Sequence, residues 1–184
     1  MIHPDTEPRL ISREFGWGVF ALRPLPRGTV TWVLSEEDQP LPGRGIPADW
    51  IHPSVPSERT DPEDRFLYQD QEGRMILLGD HARYVNHACE PNTAGGRDDR
   101  FSIALRDIAA GEQLSEDYGE LAAFQPFACG CGAPRCRGKI RPLLGLERRI
   151  HQRAVDLALE AMCSVPQRLR IPGVLAQPRG MPRA

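Results

Sequence analysis

The sequence predicts a mainly β protein with one helix near its C-terminus. Three observations lead there. Short apolar and β-branched runs recur between turns rich in glycine and proline. Only one stretch, Glu147 to Met162, spaces its apolar residues as a helix does. No strand leads into a Gly-rich phosphate loop and helix, so a doubly wound nucleotide-binding sheet is set aside.

The elements follow in order. Residues 9 to 23 read as two short strands around a tight turn, Gly16-Trp17-Gly18, with Val19-Phe20-Ala21-Leu22 continuing behind it. Pro24, Pro26 and Gly28 mark the next turn, and Thr29 to Leu34 is a third strand. Prolines at 40, 42, 47, 53, 56 and 62 make residues 36–64 a loop-rich insertion, pinned by Trp50 and Ile51. Phe66 to Tyr68 and Met75 to Leu78 flank Gln71-Glu72-Gly73 as a hairpin. Phe101 to Leu105 and Glu112 to Tyr118 are two further strands around Ala109-Ala110-Gly111. Apolar residues at 150, 154, 155, 157, 158, 161 and 162 give the helix its buried face. From Pro166 the chain is rich in Pro, Gly and Arg and is expected to fray.

Bulk properties narrow the function. The 184 residues suit one domain with a small appendage. A net charge of −2 shows no basic excess, which argues against direct nucleic-acid binding. No apolar run approaches the roughly 20 residues that span a bilayer, so no membrane partner is expected. Met1 to Glu14 lacks a basic region followed by an apolar one, so a cytoplasmic protein is expected. Five cysteines then read as ligands or free thiols rather than disulfides. Lys139 is the only lysine among 23 basic residues. The acidic runs Glu36-Glu37-Asp38 and Asp61, Glu63, Asp64 read as solvated loop charges.

Four stretches carry chemistry. Cys129-Gly130-Cys131 and, after four intervening residues, Cys136 crowd three thiols among glycines, as a structural zinc site does. A fourth ligand must come from elsewhere, with Cys89 and Cys163 as the candidates and the histidines as outsiders. Arg83-Tyr84-Val85-Asn86-His87-Ala88-Cys89-Glu90-Pro91-Asn92 is a polar, aromatic stretch suited to a small polar ligand. Gly16-Trp17-Gly18 keeps backbone bare for close approach. Glu116-Asp117-Tyr118-Gly119 puts a phenol beside two acids at a strand end.

In order, the chain reads GWG, ARYVNHACEPNT, FSIALRDIAAGEQLSEDYG and CGCGAPRCRGKI, over residues 16 to 140. This succession resembles the SET-domain family of protein lysine methyltransferases, with its cysteine-rich post-SET segment. The resemblance implies a β-clip-like fold of small bent sheets with a pseudoknot, to which the C-terminal helix is an addition. It divides the chain into a SET domain at 7–119, a post-SET zinc segment at 120–142, a helix at 143–165 and a flexible tail at 166–184. It implies methyl transfer from S-adenosylmethionine to a lysine side chain of a protein substrate, such as a histone, a histone-like protein or a ribosomal protein. A nuclear location follows if the protein is eukaryotic or secreted into a host cell.

By position, Gly16, Trp17, Gly18, Asn86 and His87 match the cofactor-binding residues, and Tyr118 matches the active-site tyrosine that also borders the cofactor. Cys89 matches the cysteine that joins Cys129, Cys131 and Cys136 on structural zinc, which leaves Cys163 over. One departure stands out. Many members carry Phe or Tyr two residues before the active-site tyrosine, where this chain has Glu116. That acid is the one residue favouring the alternative of a catalytically weak, SET-like binding module.

Overall fold

The computed structural model describes residues 1–13, 15–36, 38–41, 67–69, 75–96, 100–121 and 126–171. Its first hairpin is built by alternation. β1 (Thr6–Ser12) pairs antiparallel with β2 (Gly16–Ala21). Val19 and Ala21 are sealed in the core, and Phe20 between them is only half-buried. Gly16-Trp17-Gly18 belongs to β2 and is not the turn that the sequence predicts. Trp17 sits opposite Leu10, Gly18 opposite Arg9, and the reversal falls between the paired Ser12 and Gly16. The cause is an irregularity in register between Leu10 and Ser12, with Gly16 at a left-handed φ of 75°.

β3 (Val30–Val33) is buried at every residue. β4 (Gln39–Leu41), β5 (Leu67–Gln69) and β6 (Met75–Leu77) form a sheet in the order β4-β6-β5. Pro40 thus lies on an edge strand, where a missing N–H is tolerated. The pairing of β5 with β6 is the expected hairpin. Trp50 and Ile51 lie outside the described residues, as do Glu37 and the second acidic run.

Among the strands not foreseen are β7 (Asn86–His87), inside the polar stretch, and β8 (Thr93–Gly95), just after it. β9 (Phe101–Ala104) and β10 (Gln113–Glu116) follow, then the short pair β11 (Phe127–Ala128) and β12 (Lys139–Ile140). β10 ends sooner than the sequence predicts, and Tyr118 opens a 3-10 turn, Tyr118–Glu120. The helix α1 spans Gly145–Met162.

The sheets stack so that β9 faces two ways. Phe101 and Ile103 pack with Val155 and Ala158 of α1, while Ala104 joins Val19, Ala21 and Leu114 in a second cluster. The sheet β3-β9-β8 therefore lies between α1 and the sheet β1-β2-β10-β7. Ile150, expected on the buried face of the helix, is 62% exposed. The fraying expected from Pro166 does not hold for the residues just after it. The Gln167 amide donates to Gly28 O (2.9 Å) and accepts from Val30 N–H (2.8 Å), and Leu169 is buried. Among the described residues no helix is long and apolar enough to cross a membrane.

Candidate active site and cysteine cluster

β10 assembles the site by lying between two strands that are far apart in sequence. It pairs antiparallel with β2 and parallel with β7, setting Glu116 beside His87. Gly16, Trp17, Gly18, Asn86, His87 and the end of β10 thus come into one sheet. The Asn86 amide donates to Trp17 O at 2.8 Å, which ties the polar stretch to β2. The Trp17 ring is 46% exposed, with its centroid 6.1 Å from that of Tyr84. A Cβ on Gly18 would lie 2.7 Å from the Gln113 side chain, 2.8 Å from Ile11 and 3.2 Å from the Asn86 amide. The bare position is thus crowded by the protein's own side chains.

His87 connects three parts of the site. Its Nδ1 accepts the Tyr118 N–H at 3.1 Å, so the neutral ring carries its proton on Nε2. That Nε2 is 3.4 Å from Cys89 Sγ and faces it as a donor. Burial drives the imidazole down to about 4, against the pull of Asp117, which keeps the ring neutral near pH 7. The Tyr118 ring lies 5.5 Å from the His87 ring, and its hydroxyl donates to Val85 O at 2.8 Å. Burial first, and the Glu116 charge second, push the phenol well above its ordinary range, so it serves as a hydrogen-bond donor rather than a base.

Asp117 fixes the turn that carries Tyr118. It is 3% exposed in its side chain and accepts the Gly119 N–H at 2.9 Å. Both its oxygens are gripped by Arg137, at 2.7 and 2.6 Å. Arg137 directly follows Cys136, so this fork ties the cysteine segment to the Tyr118 turn.

Three of the four expected zinc ligands, Cys89, Cys129 and Cys131, come together with His87, and Cys136 lies outside that tightest group. Cys89 Sγ lies 3.7 Å from Cys129 Sγ, and the Cys89 N–H donates to Cys131 Sγ at 3.5 Å. The thiol of Cys136 contacts those of Cys129 and Cys131. Ligand atoms of His87, Cys89, Cys129 and Cys131 all lie within 4.8 Å of one another. Backbone N–H groups of Arg137 and Gly138 point at the sulfurs of Cys89 and Cys136, each at 3.4 Å. Although burial raises the Cys131 thiol, hydrogen bonds from Cys89 and Ala133 and the neighbouring thiols bring it down to about 7. Three thiols, with Cys136 or His87 as the fourth donor and N–H groups behind them, suit a tetrahedral zinc ion. Cys163 caps the far end of α1 and is exposed.

Four features of the site escaped sequence reasoning: Gln113 against Gly18, the Val85 carbonyl, the Asp117–Arg137 fork, and an ion pair between His151 Nε2 and Glu120 Oε1 at 2.5 Å. The Glu-Asp pair before Tyr118 was the available hint.

A family model described as SET domain matches residues 16–119. The chain belongs to the SET-domain family. It is similar to human histone-lysine N-methyltransferase EHMT1, 30% identical over 148 residues that cover 68% of this chain and 10% of that protein. It is likewise similar to histone-lysine N-methyltransferase ATX2 of Arabidopsis thaliana, 35% identical over 77% of this chain and 14% of that protein. The SET-domain chain therefore spans about a tenth of the length of the curated relatives it matches. A solved structure of KRYPTONITE in complex with mCHH DNA, H3(1-15) peptide and SAH shares the fold. Its TM-score is 0.50 at 21% identity, covering 76% of this chain and 30% of that one. The observed order of small sheets followed by a helix is thus a SET fold.

Proposed function

We propose that this SET domain transfers a methyl group from S-adenosylmethionine to the side-chain amine of lysine in a protein substrate. The observation that carries the reading is the joining of Gly16, Trp17, Gly18 and Asn86 to Tyr118 through β10 and His87. The names of the relatives, and the peptide and SAH in the KRYPTONITE complex, support it.

When bound, the sulfonium supplies an already activated methyl group, so positioning carries much of the rate. Gly16, Trp17, Gly18, Asn86 and His87 would border the cofactor, with the Asn86 amide holding the β2 backbone in place. The Tyr118 hydroxyl orients the amine. Cys89, Cys129, Cys131 and Cys136 hold structural zinc. His87, donating to Cys89 and accepting from Tyr118, passes the order of that cluster to the active site. A histone substrate places the reaction in a nucleus, and a ribosomal protein places it in the cytoplasm.

The test is incubation of the purified chain with labelled S-adenosylmethionine and arrays of histone and ribosomal-protein peptides. Label on lysine is expected, and no label on any peptide or extract protein would refute the activity. Gly18→Val should weaken cofactor binding in calorimetry at least tenfold, because the new side chain displaces Gln113 and Asn86. Unchanged affinity would remove the β2 backbone from the cofactor site.

A further inference from the structure

The reaction leaves one problem unsolved by Tyr118. A target lysine has an ordinary pKa of about 10.4 and must attack as the neutral amine, so something must take its proton. A phenol held above its ordinary range and donating to Val85 O does not.

Glu116 is placed to do so. It lies two residues before Tyr118 at the end of β10, and its charge acts on the Tyr118 phenol. Both residues are half-buried, and neither is part of the sealed core. The Glu116 carboxyl meets the hydroxyls of Ser102 on β9 and Thr93 on β8. Glu120 from the turn and His151 from α1 act on it with opposite signs. Those two are themselves paired at 2.5 Å, so α1, which lies beyond the matched SET region, reaches the site. Burial first, then Glu120, raises the carboxyl to about 7, a value at which it exchanges protons under working conditions.

We propose that Glu116 accepts the proton shed by the target lysine, and that the Glu120–His151 pair sets how readily it does so. This rests on the methyl-transfer reading above. In the step an N–H bond of the ammonium breaks and an O–H bond forms on the Glu116 carboxylate, leaving nitrogen its electron pair. That pair then bonds the methyl carbon as the carbon–sulfur bond breaks and its pair goes to sulfur. Water takes the proton from Glu116 before the next turnover. Glu116 is the catalytic residue of this step and His151 a positioning residue.

The experiment is the pH profile of kcat/KM, read by mass spectrometry on the best peptide from the array. Wild type should show an acidic limb near neutrality. Glu116→Gln should lose roughly 100-fold at pH 7 and recover about tenfold per pH unit on the way to 10, as bulk water deprotonates the lysine. Glu116→Asp should restore part of the neutral-pH rate. His151→Gln removes a positive charge beside Glu116, so its acidic limb should move to higher pH. Cofactor affinity by calorimetry should be unchanged in all three. A wild-type rate at pH 7 in Glu116→Gln overturns the proposal, and so does a loss that stays flat with pH while His151→Gln leaves the limb in place. A wild-type chain inactive at every pH instead overturns the methyl-transfer reading itself.

Discussion

The two sides of the site are held together by different physics. Around Gly18 the bonds are neutral and short-ranged in kind: strand pairing, one amide-to-carbonyl bond from Asn86 to Trp17, and tight packing of Gln113 and Ile11. Around Tyr118 the structure relies on charge. Asp117 is forked onto Arg137, Glu120 onto His151, and Glu116 stands between Tyr118 and that second pair. A surface that receives a ligand needs a fixed shape and little charge of its own. A surface that must handle a proton and a cationic amine needs carboxylates whose own charges are balanced. The charged side should therefore break more steeply under substitution than the neutral one.

The largest expected effect is on the cluster that braces the charged side. One zinc per chain is expected in wild type. Cys89→Ser or Cys136→Ser should drop metal content to near nothing, while Cys163→Ser keeps it. Chelation should raise amide exchange across 119–140 and leave β1 and β2 protected. Equal deprotection of both regions would erase the contrast between the two sides.

Next comes Tyr118→Phe. The ring stays packed against His87, and only the hydroxyl that reaches Val85 O is lost. Turnover should fall by roughly 10²–10³-fold, with cofactor affinity held, since the hydroxyl oxygen, its proton held by Val85 O, accepts from the amine and such a positioning contact in a dry site is worth that much. Near-normal turnover would move the chemistry away from this residue.

The smallest of the three is a stability effect. Asp117→Ala leaves Arg137, only 12% exposed, without its partner, and should cost about 3 kcal/mol in denaturant unfolding. Arg141→Ala at the exposed pair with Glu147 should cost less than about 1 kcal/mol. Equal costs would mean that the buried fork carries no special weight.

The neutral side and the cysteines were legible in the sequence because they are written as contiguous signals. Glycines flank Trp17, the polar stretch sits next to Cys89, and three thiols fall within eight residues. The apolar strands β3 and β9 and the helix were legible for the same reason, since burial writes its period into residue type. β7 and β8 were not, because Asn86, His87, Thr93 and Gly95 have no apolar rhythm and become strands only when β10 and β9 supply partners. The ion pairs were invisible too: Arg137 stands 20 residues from Asp117, and no periodicity links them. Ile150 misled because apolar spacing says which face is oily, not where the partner surface stops.

The placement of β10 also governs when the site can exist. It is one of the two inner strands of its sheet, yet it emerges from synthesis roughly ninety residues after β2 has been made. Until Gln113–Glu116 arrives, β2 offers an unpaired edge, and His87 has no Tyr118 N–H to accept. A nascent chain that still lacks β10 and Tyr118 thus holds both cofactor motifs with no site between them. The topology makes assembly late, dominated by contacts distant in sequence, and slow compared with a helical chain of equal length. Ribosome-stalled chains should show the change directly: protease resistance of β1 and β2 should appear only once Glu116 has cleared the exit tunnel.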